Sequence, residues 1–141
     1  MSRIYWDTML FIYLVEGHPA YFSRVQDLLD RSFRRKDLLF TSYFALGEIM
    51  AGAEKSPNPQ KAASIRQTIE EMDFSFLPFD AGAVSPFSRL RAREQIKAPD
   101  AIQLACAASA GIDLFLTSDK QLMRLDVPGI QFIVDFNAPI L

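Results

Sequence analysis

Five short hydrophobic runs recur along the chain, separated by longer segments in which hydrophobic and polar residues follow a helical period. Continuous apolar runs of this length are typical of strands buried on both faces, as in parallel sheets covered by helices. The pattern therefore predicts five strands, over residues 4–6, 38–40, 74–77, 114–116 and 130–134.

The segments between these strands predict the helices. They cover residues 9–15, 19–35, 43–53, 62–72, 80–94, 98–111 and 120–125. Thr8 is a candidate N-cap for the first helix, and Thr41 or Ser42 for the third. Pro86 disturbs the fifth helix, which either begins at Ser85 or kinks there.

The helix predicted over residues 98–111 is built almost entirely from small side chains. Pro99 suits its first turn and Gly111 its end. A helix that is apolar on all sides is a buried helix, which other backbones can approach closely. It nevertheless opens with a carboxylate, Asp100, which either complements the helix dipole or points into a cleft.

Strands that alternate with helices imply a three-layer α/β/α arrangement, in which helices cover both faces of a parallel sheet. Ligands of such sheets bind beyond the carboxyl ends of the strands. Asp7 follows the first strand directly and Asp119 follows the fourth. Asp100 and Glu48 lie in early turns of helices that begin at this edge. The topology therefore selects these four acids as candidate site residues.

Each acid also has an ordinary structural interpretation. Ser118 or Asp119 can cap the following helix, and Glu48 can face outward because Glu is a good helix former. A carboxylate directly after a buried strand, by contrast, must find a partner or face a cleft. Glu48 is also flanked by apolar residues. If the acids converge, they raise one another's pKa values unless a cation lies among them.

Carboxylates and water are the ligands that hard divalent cations prefer, and Mg²⁺ completes its octahedron with water and substrate phosphate. One or two such ions can activate water and neutralise the charge that develops on a phosphate. The acids therefore predict hydrolysis of a phosphodiester. This chemistry requires no histidine or serine nucleophile.

Composition and charge narrow the function classes. The 141 residues are 50% hydrophobic and predict one globular domain, residues 1–141. A net charge of -2 argues against binding duplex nucleic acid mainly through a basic surface. One histidine, His18, makes a His-rich zinc site improbable, and one cysteine, Cys106, forms no internal disulfide. The apolar run over residues 9–15 is too short to span a bilayer. We expect a cytoplasmic protein with no membrane association.

Four short motifs surround the four acids, and their order, spacing and context are together specific. They are Tyr5-Trp6-Asp7-Thr8, Leu46-Gly47-Glu48-Ile49, Pro99-Asp100-Ala101-Ile102 and Thr117-Ser118-Asp119. On these motifs, the chain resembles the PIN-domain nucleases, and within them the VapC-type toxins of prokaryotic toxin–antitoxin pairs. The resemblance covers essentially the whole chain.

The resemblance implies a five-stranded parallel sheet in the order 3-2-1-4-5 and an endoribonuclease that depends on Mg²⁺ or Mn²⁺. By the same analogy, Asp7 and Asp100 contact the metal most directly. Glu48 holds the metal or a water on it, and Asp119 completes the acidic set. The resemblance thus gives each acid a role in catalysis.

Thr8 and Thr117 are implied to orient the carboxylates. The resemblance further implies a homodimer and a partner antitoxin, whose tail occupies the acidic cleft, often through an arginine. The chain departs from the family pattern at one position. Met9 stands two positions after the first Asp, where many relatives carry a small polar residue.

Basic residues that could guide RNA to the cleft form two groups. Arg89 and Arg93 are one helical step apart and share a face, and residues 34–36 form the other group. For each group, a solvated helix face is the ordinary interpretation. We retain Arg89 and Arg93 as candidate RNA-binding residues.

Two other functions compete with the nuclease. A receiver-type signalling domain also has an acidic Mg²⁺ pocket on a five-stranded parallel sheet, but it requires paired acids after the first strand and another after the third. Asp7 has no acidic neighbour, and Asp80 is a poor match after the third strand. The other alternative is a catalytically silent PIN-like binding module, against which the presence of all four acids argues.

Overall fold

The computed structural model describes all 141 residues and contains one five-stranded sheet. Its strands are β1 (Arg3–Trp6), β2 (Leu38–Ser42), β3 (Ser75–Leu77), β4 (Ile112–Thr117) and β5 (Ile130–Asp135). They are all parallel and lie in the order β3-β2-β1-β4-β5, which confirms the predicted topology. β1 is therefore the central strand, and its carboxyl end lies between those of β2 and β4.

Six α-helices and one short 3₁₀ turn connect the strands. They are α1 (Thr8–Val15), α2 (Phe22–Arg35), α3 (Tyr43–Glu54), α4 (Gln60–Glu71), α5 (Ala81–Arg93), α6 (Ala98–Ala110) and the turn Leu122–Arg124. None of them combines the length and the hydrophobicity that a membrane-spanning helix needs.

Alternate side chains of β1 point into two separate cores, one on each face of the sheet. Ile4 and Trp6 pack in a core formed with α1–α4, whereas Tyr5 packs in a core formed with α5 and α6. On the second face, Tyr5 stacks on Phe115 with 4.8 Å between ring centroids. Helices thus cover both faces, as the continuous apolar strands predicted.

Several predicted boundaries change in the structure. The helix predicted over residues 120–125 is only the 3₁₀ turn Leu122–Arg124, and α4 begins at Gln60, two residues earlier than predicted. Asp7, not Thr8, is the N-cap of α1, because its carboxylate accepts the backbone N–H of Thr8. The second helix begins at Phe22, not at residue 19. The preceding turn is held by His18 Nδ1, which accepts backbone N–H groups from that turn.

The helix that contains Pro86 does not begin at Ser85. It begins at Ala81, because Asp80 Oδ1 accepts the N–H of Gly82 and caps the helix one turn earlier. The proline lies in the sixth position of a single helix. Asp80 therefore has a structural role away from the four acids, which argues against a receiver-type site. Receiver domains also follow the strand order 2-1-3-4-5, which this sheet does not have.

Candidate active site

The four predicted acids line one hollow of about 470 Å³ at the carboxyl edge of the sheet. Asp7 follows β1, Glu48 lies in the second turn of α3, Asp100 opens α6, and Asp119 follows β4. The same hollow is lined by Thr8, Met9, Ile12, Gln103 and Ser118. Four segments that are distant in sequence therefore meet where parallel strands end, as sheets of this topology bring them together.

Asp7 is the most buried of the four acids and is held by three hydrogen bonds. Its Oδ1 accepts the backbone N–H of Thr8 at 2.7 Å and the amide of Gln103 at 3.1 Å. Its Oδ2 accepts the hydroxyl of Thr117 at 2.7 Å. Its position as N-cap also places the charge at the positive end of the α1 dipole. The carboxylate thus has a fixed orientation towards the hollow.

The two threonines lie against the acids that they were expected to orient. Thr8 Oγ1 donates to Glu48 Oε1 at 2.8 Å, and Thr117 Oγ1 accepts the backbone N–H of Asp119 at 3.1 Å. Asp119 also bonds within its own turn, because its Oδ1 accepts the N–H of Gln121 at 2.9 Å. Asp119 therefore both stabilises its own turn and lines the hollow, so the structural and the functional interpretations of this residue are compatible.

Sequence reasoning missed Gln103, which is 3% exposed on α6. Its amide nitrogen lies within hydrogen-bond distance of Asp7 and Thr8, and its oxygen accepts the Tyr5 hydroxyl at 3.0 Å. The sequence did contain one indication of its role: Gln103 is a lone amide side chain among small apolar residues, three positions after Asp100. Residues three apart share a helix face. Asp100 and Gln103 accordingly line the same hollow.

The electrostatics of the hollow disfavour four separate negative charges. Burial is the main cause that raises the pKa of Asp7, and the charge of Asp119 adds to it. Burial, followed by the charges of Asp7, Asp119 and Glu48, raises the pKa of Asp100 to about 6. No lysine or arginine forms an ion pair with any of these acids. The site therefore has excess negative charge that a cation would balance.

The donor set fits a hydrated divalent ion better than a closed protein cage. No three His, Cys, Asp or Glu side chains in the chain are grouped so that they could hold a metal ion by themselves. Mg²⁺, however, usually takes one or two carboxylates and keeps several waters. A hollow of this size, lined by four separate carboxylates, has room for such an ion and its waters.

The predicted basic residues do not line the hollow. Arg89 and Arg93 are exposed and line a separate cavity of about 220 Å³ beside the turn that precedes β5. A third cavity, of about 140 Å³, shares Asp100 with the acidic hollow and adds Lys97 and Arg124. The other predicted group, residues 34–36, ends α2 at the opposite edge of the sheet.

Comparison with known proteins gives the family context of this site. The PIN domain family model matches residues 4–128, which contain all four acids. No curated protein sequence matches the chain.

Several solved structures are similar over most of the chain. DNA-bound VapBC from Salmonella typhimurium is 22% identical with a TM-score of 0.73, over 96% of this chain and 99% of the other. VapBC2 from Rickettsia felis, bound to a promoter DNA fragment, is 20% identical with a TM-score of 0.72, over 94% and 98%. VapC20 from Mycobacterium tuberculosis, described as a sarcin–ricin loop cleaving toxin, is 16% identical with a TM-score of 0.61, over 79% and 86%. At these identities the likeness shows the fold.

Proposed function

Because the chain belongs to the PIN-domain family, we propose that it is a metal-dependent endoribonuclease of the VapC type, the toxin of a toxin–antitoxin pair. The observation that carries the proposal is the acidic hollow, where carboxylates from four segments line one cavity and none forms an ion pair with a basic side chain. The likeness to VapBC complexes and to the cleaving toxin VapC20 supports the same activity.

Asp7 and Asp100 would hold an Mg²⁺ or Mn²⁺ ion most directly, and Glu48 and Asp119 would complete the acidic set. When bound, the ion would supply an activated water and neutralise the charge that develops on the phosphate. Asp7 enters the reaction already oriented by its hydrogen bonds, so little reorganisation is needed. Because a water activated by the ion would serve as the nucleophile, this scheme requires no covalent enzyme intermediate.

Glu48 has a distinct position in this scheme. Both hydrogen bonds that it accepts within the chain go to Oε1, from Thr8 at 2.8 Å and from Gln103 at 3.3 Å. Its Oε2 accepts no hydrogen bond from the chain, and the Glu48 side chain lines the hollow. We expect this oxygen to accept a hydrogen bond from a water and to orient it towards the phosphate.

A chelation experiment with one substitution in the hollow and one outside tests the activity. Wild-type protein should cleave RNA with Mg²⁺ or Mn²⁺, stop in excess chelator, and recover when the ion is restored. Asp100→Asn should lower cleavage at least about 100-fold, because the ion would lose one of its carboxylate ligands. Each ~1.36 kcal/mol of lost transition-state stabilisation lowers the rate tenfold. Asp30→Asn, an exposed acid on α2 away from the hollow and the proposed RNA path, is the matched control. Undiminished cleavage in chelator would refute the metal-dependent mechanism.

We propose that RNA leaves the acidic hollow across Lys97 and Arg124 and then reaches Arg89 and Arg93. The support is spatial, because the 140 Å³ cavity that contains Lys97 and Arg124 shares Asp100 with the acidic hollow. Arg124 in that cavity lies 3.7 Å from Glu94, which lines the 220 Å³ cavity together with Arg89 and Arg93. Four cations along one path would offset the repulsion between RNA and the acids.

The double variant Arg89→Ala/Arg93→Ala tests this path. Its KM should rise with kcat little changed, and the slope of log affinity against log salt should become shallower by about 1.4, or about 0.7 for each lost phosphate contact on a single strand. The matched control removes two cations elsewhere, Arg34→Ala/Lys55→Ala, since both are exposed away from this path. An unchanged KM and slope in the double variant would refute the path.

The proposed assembly includes a cognate antitoxin and a homodimer of this single domain, acting in the cytoplasm. The VapBC complexes among the similar structures support the antitoxin. The uncompensated negative charge of the hollow suits a cationic side chain from such a partner. Induced expression should arrest growth, and co-expression of an adjacent small gene should relieve the arrest. Light scattering on the purified chain should give twice the mass of 15.9 kDa.

A further inference from the structure

The side chain of Gln103 joins several groups of the acidic hollow. It lies on α6 one turn after Asp100 and is almost completely buried. Its amide nitrogen is 3.1 Å from Asp7 Oδ1, 3.0 Å from Thr8 Oγ1 and 3.3 Å from Glu48 Oε1. One neutral side chain therefore contacts the end of β1, the first turn of α1 and the middle of α3.

The direction of each hydrogen bond follows from the protons that are available. Gln103 Oε1 can only accept, so the single proton of the Tyr5 hydroxyl, 3.0 Å away, points towards it. The Ser42 hydroxyl, 2.9 Å from the Tyr5 oxygen, then donates to Tyr5 and itself accepts the N–H of Ala45. A buried chain of donors thus runs from Ser42 through Tyr5 to Gln103.

The other orientation of the Gln103 amide is excluded by its surroundings. Turned by 180°, its oxygen would face Asp7 Oδ1 and Glu48 Oε1, which are both acceptors. The Thr8 hydroxyl could not relieve this contact, because its proton already goes to Glu48. The NH₂ group is consequently held towards the carboxylates by Tyr5 on one side and by the acids on the other.

We propose that Gln103 is a positioning residue of the site, whose amide, oriented by Tyr5, holds Asp7 and, through Thr8, Glu48 in the geometry that binds a divalent ion. The inference rests on the proposed function, because it concerns the ion that this function requires. Groups that hydrogen-bond to metal-binding carboxylates typically change metal affinity or activity 10–100-fold when they are removed.

The test compares Gln103→Met with wild type by calorimetric titration of Mg²⁺ and Mn²⁺ into the purified full chain. Methionine keeps the length and shape of glutamine but makes no comparable hydrogen bond. Metal affinity should fall about 10-fold or more. The kcat for RNA cleavage should fall with it, whereas the KM for RNA should stay unchanged. Gln67→Met, at an exposed glutamine on α4 away from the hollow, is the matched control and should leave metal affinity, kcat and KM unchanged.

Tyr5→Phe tests the orienting step separately. It preserves the ring that stacks on Phe115 but removes the hydroxyl that holds the amide. Metal affinity should fall in the same direction as in Gln103→Met, by a smaller factor. Combining Tyr5→Phe with Gln103→Met should add no further loss, because the hydroxyl acts only through the amide.

Thermal denaturation in chelator establishes that each variant is folded, and Tyr5→Phe carries the test if Gln103→Met is not. A folded variant that binds the ions as tightly as wild type would overturn the positioning role of Gln103. The proposed function would still stand in that case, provided that the wild-type protein cleaves RNA with the ion present. Wild-type protein that neither binds the ions nor cleaves RNA would overturn the proposed function, and this inference with it.

Discussion

Buried carboxylates occur at both edges of the sheet, and their surroundings differ. At the amino edge, the fully buried side chain of Asp37 accepts the N–H of Ser2 at 2.8 Å and pairs with Arg35 at 3.0 Å. At the carboxyl edge, Asp7 is almost as buried but accepts hydrogen bonds only from neutral groups, of which the Thr117 hydroxyl is one.

This difference separates structural acids from candidate functional ones. A buried carboxylate that has a guanidinium partner needs no further cation, whereas one with neutral partners alone keeps an unbalanced charge in a medium that solvates it poorly. Burial accordingly raises the pKa of Asp7. The carboxyl edge is therefore where a cation from outside the chain would stabilise the protein most.

The largest expected effect comes from exchanging carboxylate for amide at each edge. Asp7→Asn should lower RNA cleavage at least about 100-fold. It should leave the free energy of unfolding at pH 7 unchanged or higher, because an unbalanced charge is removed. Asp37→Asn should leave cleavage within about twofold and lower the free energy of unfolding by about 1–2 kcal/mol, because Arg35 loses its anionic partner.

Cleavage rates and urea denaturation of the two variants test this prediction, in which one variant loses activity and the other loses stability. The comparison of the two edges would be wrong if Asp7→Asn lost stability as Asp37→Asn does and kept its activity.

Much of the fold was predictable because it depends on long-range periodicity. Five continuous apolar runs and intervening helical patterns locate every strand to within a few residues, and the strand order expected from the family resemblance is confirmed. The helix caps were less predictable. Asp7, not Thr8, is the N-cap, because its carboxylate oxygen is directed at the first free N–H group of the helix. That direction is set by the course of the preceding strand, which the sequence alone does not specify.

The residues of the site likewise divide into those that the sequence predicts and those that it does not. The placement of Asp7 and Asp119 follows from topology alone, since residues after parallel strands gather at one edge. Gln103 could not be found that way, because it does not follow a strand, and its only sequence signal is a polar side chain three positions after Asp100 in a helix of small residues. Only the packing of α6 against the end of β1 brings its amide to Asp7. The roles of the acids as metal ligands stay a prediction.

A smaller effect should appear when the ion is added to the folded protein. A ligand that binds only the native state stabilises it by RT ln(1 + [L]/Kd), or about 2.7 kcal/mol at 100 times Kd. Mg²⁺ should therefore raise the Tm of wild type and of Asp37→Asn equally, and should not raise that of Asp7→Asn. Calorimetric scans with Mg²⁺ and with chelator measure this difference. An equal rise in all three proteins would place the ion elsewhere on the molecule.

The smallest effect is a pH dependence of stability in chelator. The pKa of Asp100 is about 6 in the folded protein against an ordinary 3.8, so the folded state binds this proton more tightly than the unfolded state. Its contribution to stability is then complete below pH 3.8 and is lost as the pH rises through about 6. Asp100→Asn, which carries no such charge, should match the Tm of wild type near pH 4 and exceed it near pH 7.

The difference in Tm should be no more than a few degrees, because Asp100 is partly exposed and solvent screens its neighbours. Thermal scans of both proteins between pH 4 and 7 measure it, and Asp30→Asn controls for the loss of one exposed charge. Parallel curves for wild type and Asp100→Asn would mean that neither burial nor the neighbouring acids raise the pKa of Asp100. The carboxyl edge would then need no external cation, and the contrast with Asp37 would lose its functional meaning.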